Sequence, residues 1–162
     1  MKVRAAFFVL IVSLTVSVLA DGQTMNPATE VKTRIDNLVS RLSRREVARV
    51  EVLEIPPGIM TRTRITPEML RQQYVYKLTI RDLRNSVYEE PLRKSAESLQ
   101  ATSRREMADL RWGLILFSSG GNQIEALYFD GTGNYGSIGD NPVEFKGRAF
   151  GWLIATFSGC LR

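Results

Sequence analysis

The sequence has no histidine and only one cysteine, Cys160, in 162 residues. Serine–histidine–aspartate triads, cysteine–histidine pairs, histidine-ligated metals and multi-cysteine zinc sites all require residues that are absent or too few here. We therefore predict no catalytic residues, no metal ligands and no bound cofactor. Since one thiol has no partner, we also predict no disulfide within the chain, so a packed core alone must stabilise the fold.

The single cysteine allows two interpretations. Its place near the end of a predicted C-terminal helix favours a structural role for Cys160 as a small apolar residue. An exported chain with an unpaired thiol could instead form a disulfide with another molecule or keep a reactive thiol. The sequence leaves both interpretations open.

Long apolar runs are also scarce, and the clearest lies at the N terminus. A short basic start precedes an uncharged run from Ala5 to Leu19, and the small residue Ala20 follows it. This is the pattern of a secretory signal peptide, and the run is shorter than a typical membrane span. We predict that residues 1–20 are removed and that residues 21–162 form a single domain without a membrane span. The expected location is periplasmic or secreted.

The net positive charge of the chain is small once the predicted signal peptide is removed. The formal net charge is +5, and it falls to +3 when Lys2 and Arg4 leave with the predicted signal peptide. Seventeen of the 22 basic residues are arginine, but they are scattered among acidic residues. We interpret them as a solvated surface and predict no nucleic-acid partner. Binding to a polyanion or to a membrane surface stays open as an alternative.

The first two thirds of the chain alternate between helix and strand patterns. Asn26 and Pro27 form a helix start, and apolar residues at helical spacing follow them as far as residue 44 or 45. Val47 to Ile55 is typical of a strand, in which Leu53 breaks the alternation and suggests a bulge. The other predicted elements are a short strand over 59–65, a short helix from Thr66, a strand over 74–81, a helix from Glu89 that fades through 98–103, and a charged connector over 103–109.

The last third of the chain predicts a meander followed by a closing helix. Turn residues rich in glycine and asparagine recur at short intervals between apolar segments, which is typical of antiparallel hairpins. We therefore predict an α+β fold, with an antiparallel sheet that ends in a C-terminal meander and is covered on one face by helices. The predicted strands are 110–117, 124–129, 135–138 and 143–145, and the predicted helix is 150–157.

A glycine-rich turn and the turn after the next predicted strand contain the candidate binding residues. Asp130, Thr132 and Asn134 resemble the start of a calcium-binding loop. However, Tyr135 stands where such a loop has glycine, and Asn141 stands where it has glutamate. Aspartate, asparagine and glycine are also the residues that a tight β-turn requires. We therefore interpret the segment as an exposed turn without a metal. The predicted binding residues are Asp130, Asn134, Tyr135 and Asp140.

Paired carboxylates are a catalytic arrangement that this composition still allows. Glycosidase-type hydrolysis needs two carboxyl groups at a defined distance across a cleft, and closeness in sequence does not establish that distance. Surface positions and helix starts explain these acidic residues better, and we interpret them in that way. The candidate pairs are Glu51 with Glu54, Glu89 with Glu90, and Asp140 with Glu144.

The sequence thus indicates a destination and a fold but no reaction. We predict a non-enzymatic protein of the cell envelope or exterior that binds another macromolecule, in the first place a protein. Its role would be that of an inhibitor, an immunity-type protein or an accessory protein. Two alternatives stay open: a carboxylate-dependent hydrolase of a cell-wall or sugar polymer, and a protein that binds a polyanion or a membrane surface.

Overall fold

The computed structural model describes residues 26–160, so the predicted signal peptide lies outside the described residues. Within this range the chain forms four helices and seven strands, which confirms the predicted α+β fold. The helices are α1 (Pro27–Ser43), α2 (Pro67–Gln73), α3 (Glu89–Glu97) and α4 (Ala149–Cys160). The strands are β1 (Val47–Glu54), β2 (Tyr76–Ile80), β3 (Gln100–Ser103), β4 (Leu110–Ser118), β5 (Gln123–Asp130), β6 (Tyr135–Ile138) and β7 (Asn141–Lys146).

The predicted starts of α1 and α2 are confirmed by their hydrogen bonds. The side chain of Asn26 accepts a hydrogen bond from the backbone N–H of Ala28 at 3.0 Å. At α2, the hydroxyl of Thr66 accepts from the N–H of Met69 at 3.3 Å. Each cap satisfies a backbone donor that has no acceptor inside its helix, so both helices begin where the sequence predicts. In the part of the chain that the structure describes, no helix is long and apolar enough to span a membrane.

All seven strands form one antiparallel sheet in the order β2-β1-β4-β5-β6-β7-β3. The β4–β5 hairpin and the meander through β7 are as predicted. The edge strand β3 is not apparent in the sequence, because its small and polar residues look like the fading end of a helix. It forms because β7 offers a free edge, against which Ala101 pairs with Phe145 and Thr102 with Glu144.

Helices α1, α3 and α4 cover one face of the sheet and build the larger core. Aromatic side chains hold its centre: the rings of Phe129 and Phe145 lie 4.6 Å apart, and Trp112 meets Phe157 of α4 edge-on at 5.2 Å. Tilted and edge-on ring contacts of this kind stabilise a core beyond the area that they bury. The buried helix residues are Val31, Ile35, Leu38 and Leu42 from α1, Leu92 and Ala96 from α3, and Ala149, Trp152, Leu153 and Phe157 from α4.

The opposite face carries a smaller core that the sequence pattern does not predict. Leu53, Ile115 and Tyr128 of the sheet are buried there against Ile65 and Leu70. Leu70 belongs to α2, and Ile65 comes just before that helix. The sheet is therefore covered on both faces, by three helices on one side and by α2 with its preceding segment on the other.

This second core explains why Leu53 breaks the alternation of β1. Successive residues of a strand point to opposite faces, so Leu53 lies on the face opposite Val52 and needs an apolar side chain there. The bulge predicted at Leu53 is wrong, because the pairing with β4 is regular at this position. The register shifts instead between Val47 and Arg49.

The strand predicted over residues 59–65 is also wrong. Residues 57–64 form no regular structure and are exposed, while Ile55 and Ile65 on either side are buried. The physical reason lies in the sheet order. Strand β1 already pairs with β2 on one edge and with β4 on the other, so a strand that continues from β1 finds no free edge beside it.

Cys160 lies at the end of α4, as predicted, but it is exposed and not part of the core. Its sulfur lies 3.5 Å from the hydroxyl of Tyr88, and it forms no disulfide within residues 26–160. A disulfide between Cys160 and another molecule stays an open alternative.

Candidate functional site

The exposed residues 57–64, which we call the contact loop, leave and rejoin the body at one place. The N–H of Ile55 donates to the carbonyl of Arg111 at 2.8 Å, and the N–H of Leu110 donates to the carbonyl of Ile65 at 3.2 Å. Both ends of the loop therefore meet neighbouring residues at the start of β4. This closure is typical of a compact surface loop whose ends lie close together.

One ion pair bridges the two arms of the contact loop. One carboxylate oxygen of Asp109 accepts from Arg111, from Nε at 3.1 Å and from Nη2 at 2.6 Å. The other oxygen of Asp109 accepts from the backbone N–H of Ile65 at 2.8 Å. The Nη1 of Arg111 donates to the carbonyl of Ile59, also at 2.8 Å. Hydrogen bonds that involve charged groups are stronger than neutral ones, and the Arg111 side chain is only 12% exposed.

Short-range hydrogen bonds complete the shape of the loop. The N–H of Ile59 donates to the carbonyl of Pro56 at 3.0 Å and closes a turn. The hydroxyl of Thr61 donates to the carbonyl of Thr63 at 2.8 Å. The backbone of the contact loop is therefore organised, although its side chains lie in solvent.

The loop presents an apolar tip with basic residues beside it. Met60 is 97% exposed and Ile59 is 40% exposed. Arg62 and Arg64 are exposed and form no ion pair with another residue of the range 26–160, and the loop contains no acidic residue. Together with Arg111, these side chains line an open concavity of about 320 Å³. Methionine and arginine are both enriched at contact surfaces relative to the rest of a protein surface.

The residues predicted as a binding site do not come together. Asp130, Asn134 and Tyr135 lie at the turn between β5 and β6, whereas Asp140 lies in the next turn, at the other end of β6. Tyr135 is partly exposed, as expected, and the guanidinium carbon of Arg104 lies 4.2 Å from the centre of its ring. The four residues therefore belong to two separate turns.

The polar groups of Asp130 are used within its own turn. Its carboxylate accepts from the N–H of Thr132 at 3.1 Å, from the Thr132 hydroxyl at 3.0 Å and from the N–H of Tyr135 at 3.4 Å. This is the pattern by which aspartate closes a turn on itself, and it supports a turn over a calcium loop. Among the described residues, no three acidic or cysteine side chains lie close enough to share a metal ion.

Asp140 lies near a clamp that joins α1 to β5. Arg34 donates to both carboxylate oxygens of Glu125, at 3.0 Å from Nε and 2.6 Å from Nη2. These hydrogen bonds raise the pKa of Arg34 above its ordinary value against the opposing effect of burial, and the charge of Asp140 acts in the same direction. Because Glu125 is almost fully buried, removing Arg34 would leave a charge without a partner. The clamp is therefore structural.

The first of the three carboxylate pairs is divided by the sheet. Strand alternation puts Glu51 and Glu54 on opposite faces of β1. Glu51 binds Lys77 at 3.0 Å and Arg49 at 3.0 Å. Partial burial raises the pKa of Glu54 above its ordinary value. The two carboxylates therefore do not face a common cleft.

In the other two candidate pairs, the two carboxylates of each pair also do not act together. Glu89 binds Arg45 at 2.8 Å, whereas Glu90 binds Arg93 at 2.6 Å. Hydrogen bonds from Arg93 and Lys94 lower the pKa of the exposed Glu90 carboxyl. In the last pair, Asp140 precedes β7, and Glu144 lies within β7 opposite Tyr135, at the far end of β6.

No family model matches this chain, and comparisons with curated proteins and with solved structures gave no significant match.

The sequence pattern hides the contact loop, because Thr61 and Thr63 alternate as they would in a strand. The signal that the sequence does contain is the pair of prolines at its start, since proline cannot donate to a strand ladder. The residue that organises the loop is not visible locally. Asp109 lies 44 positions from Ile65, and only the fold brings the two together.

Proposed function

We propose that this chain is a non-enzymatic binding protein, and that it contacts another component of the cell envelope or exterior through the contact loop. The observation that carries this proposal is an exposed loop that is nevertheless anchored. Asp109 and Arg111 hold its two arms, while the side chain of Met60 stays in solvent.

Anchoring favours binding because the loop is ordered before it meets a partner. Fixing the backbone of a flexible segment costs about 1–2 kcal/mol per residue, and this cost lowers affinity when it falls on the binding step. A contact loop that is already held avoids most of that cost. Burying the Met60 side chain against a partner then contributes about 1.5–3 kcal/mol.

The compartment in this proposal depends on residues 1–20, which lie outside the described residues. Their basic start, their uncharged apolar run and the small residue Ala20 support export. We expect N-terminal sequencing of the purified product to begin at Asp21. A product that retains Met1 and stays in the cytosol would contradict this part of the proposal.

A photo-cross-linking amino acid in place of Met60 tests the role of the loop. The matched control carries the same amino acid in place of Val87, which is 82% exposed and lies outside the loop. In cells that make the protein, we expect a cross-linked product from position 60 and little from position 87. Mass spectrometry then identifies the attached molecule. Equal yields at the two positions, or no product at either, would count against the contact loop.

A further inference from the structure

We infer that the contact loop binds the surface of a bilayer that contains anionic phospholipids. In this arrangement Met60 lies among the headgroups, and Arg62 and Arg64 pair with lipid phosphates. The inference rests on the proposed function, because it names the partner of the same loop.

The first argument is the unbalanced charge of the loop. Arg62 and Arg64 form no ion pair within residues 26–160, and no acidic residue lies in the loop itself. The acid that lines the same concavity, Asp109, is occupied by Arg111. Arginine presents a planar set of donors that matches the oxygens of a phosphate. The concavity is therefore suited to an anionic group.

The second argument is the apolar tip beside these arginines. Met60 is 97% exposed, and the carbonyl of its neighbour Ile59 is held by Arg111, so the backbone that carries the methionine is fixed. Free phosphate or a soluble polyanion would use the arginines but would gain nothing from this side chain. A bilayer surface uses both, because it offers phosphates at the surface and an apolar layer beneath them.

The small size of the loop favours a bilayer over a folded protein. A stable protein interface buries about 800 Å² on each partner and involves roughly 20–30 residues a side. The contact loop spans only residues 57–64, and Met60 is its one almost fully exposed apolar side chain. A bilayer requires no matching shape, and an apolar tip with basic neighbours is enough for reversible attachment.

The test is co-sedimentation of the protein, as recovered from the cells that make it, with lipid vesicles. One set contains phosphatidylglycerol and phosphatidylcholine in equal parts, and the other contains phosphatidylcholine alone. Met60→Asp and Arg62→Glu change the loop, and Val87→Asp and Arg81→Glu are their matched controls. Arg81 is exposed and follows Ile80, which pairs with Val50, far along β1 from the loop. Every variant has the same N terminus, so differences report the substitution, and circular dichroism checks the fold.

We expect binding to the anionic vesicles and weak binding to phosphatidylcholine alone. Arg62→Glu should weaken binding at least fivefold, because one basic residue near an anionic surface is worth a factor of about five. Met60→Asp should weaken it by about tenfold or more, because it removes the apolar contact and adds a negative charge. Both controls should stay within about twofold of the original protein, and added salt should weaken binding because it screens the charges.

Several outcomes would overturn the inference. Loop variants that bind vesicles as well as the original protein would place the contact elsewhere. Full binding by Met60→Asp, together with competition by inorganic phosphate, would indicate an anion site without a bilayer. If the vesicles do not bind but position 60 cross-links to a protein, the lipid inference falls and the proposed function stands. If the protein neither binds vesicles nor forms a cross-linked product at position 60, the lipid inference and the proposed function are both wrong.

Discussion

Two loops of this molecule are each organised by one aspartate, and they differ in what they leave free. Asp130 accepts hydrogen bonds from residues of its own turn between β5 and β6. Asp109 lies outside the contact loop and bridges its two arms, directly at Ile65 and through Arg111 at Ile59. The carboxylate that holds the first loop belongs to that loop, whereas the carboxylate and the guanidinium that bridge the second come from outside it.

This difference shows that the polar groups of a turn can be used to hold the turn itself. The Asp130 turn has the composition of a binding site, but its carboxylate is occupied by its own backbone and by the Thr132 hydroxyl. The contact loop has a plainer composition, yet Met60, Arg62 and Arg64 are not needed for its shape. Side chains that the fold does not use are the ones available to a partner.

The largest expected loss of stability is at Gly133, the glycine of the Asp130 turn. Gly133 of the Asp130 turn has a φ of 76°, and a Cβ there would overlap the ring of Phe150. We expect Gly133→Ala to lower the free energy of unfolding by about 2–4 kcal/mol, from left-handed strain and from overpacking. Urea denaturation measures the change. A loss below about 1 kcal/mol would show that this turn does not pack against α4 as described.

Removal of the bridging aspartate should loosen the contact loop. We expect Asp109→Ala to lower the free energy of unfolding by about 1–3 kcal/mol, because it leaves the mostly buried guanidinium of Arg111 without its carboxylate. Limited proteolysis with trypsin should then cut faster after Arg62 and Arg64. The control is Asp36→Ala, whose carboxylate lies on the surface of α1 at 3.9 Å from Lys32. It should change stability by less than about 0.5 kcal/mol. Unchanged cleavage in Asp109→Ala would show that the bridge does not hold the loop.

The aspartate of the other turn should have a smaller and more local effect. Asp130→Ala removes hydrogen bonds to an exposed turn, and we expect a loss of about 1 kcal/mol in the free energy of unfolding. Trypsin cleavage of the contact loop should stay at the rate of the original protein. Faster cleavage of the contact loop in Asp130→Ala would mean that the two loops are coupled. It would contradict the view that each loop is held by its own aspartate.

The smallest expected effect is at Gly58, in the contact loop. A Cβ at this position meets nothing within 4 Å, and its φ lies outside the left-handed region. We expect Gly58→Ala to change the free energy of unfolding by no more than about 0.5 kcal/mol, because restricting the unfolded chain offsets any small strain. A loss above about 1 kcal/mol in urea denaturation would show that the turn before Met60 needs glycine.

The parts of the fold that the sequence predicts are those set by residues close together in the chain. Asn26 and Thr66 mark helix starts because a cap acts over two or three residues, and the β4–β5 hairpin follows from its turn. Strand β3 escapes prediction because its own residues do not favour a strand, and the edge of β7 makes it one. Leu53 is misread for a related reason, since the second core that needs it is built from distant segments.

The candidate site depends on contacts that no local pattern contains. In the sequence, Asp109 is one acid in a charged connector, and only the folded chain puts it between Ile65 and Arg111. Asp130 shows the opposite case. Its turn is predicted correctly from composition, but composition does not reveal that the carboxylate is already occupied. Asp140 likewise appears close to that turn in sequence, although β6 separates the two.

The segment between Ile55 and Ile65 begins and ends beside Leu110 and Arg111, so it is a self-contained insertion in the fold. We expect insertions or substitutions within this segment to leave the strands in place, because its two ends are hydrogen-bonded to residues at the start of β4. If the proposed function holds, sequence changes confined to this short segment would alter what the protein binds while the sheet and helices stay unchanged.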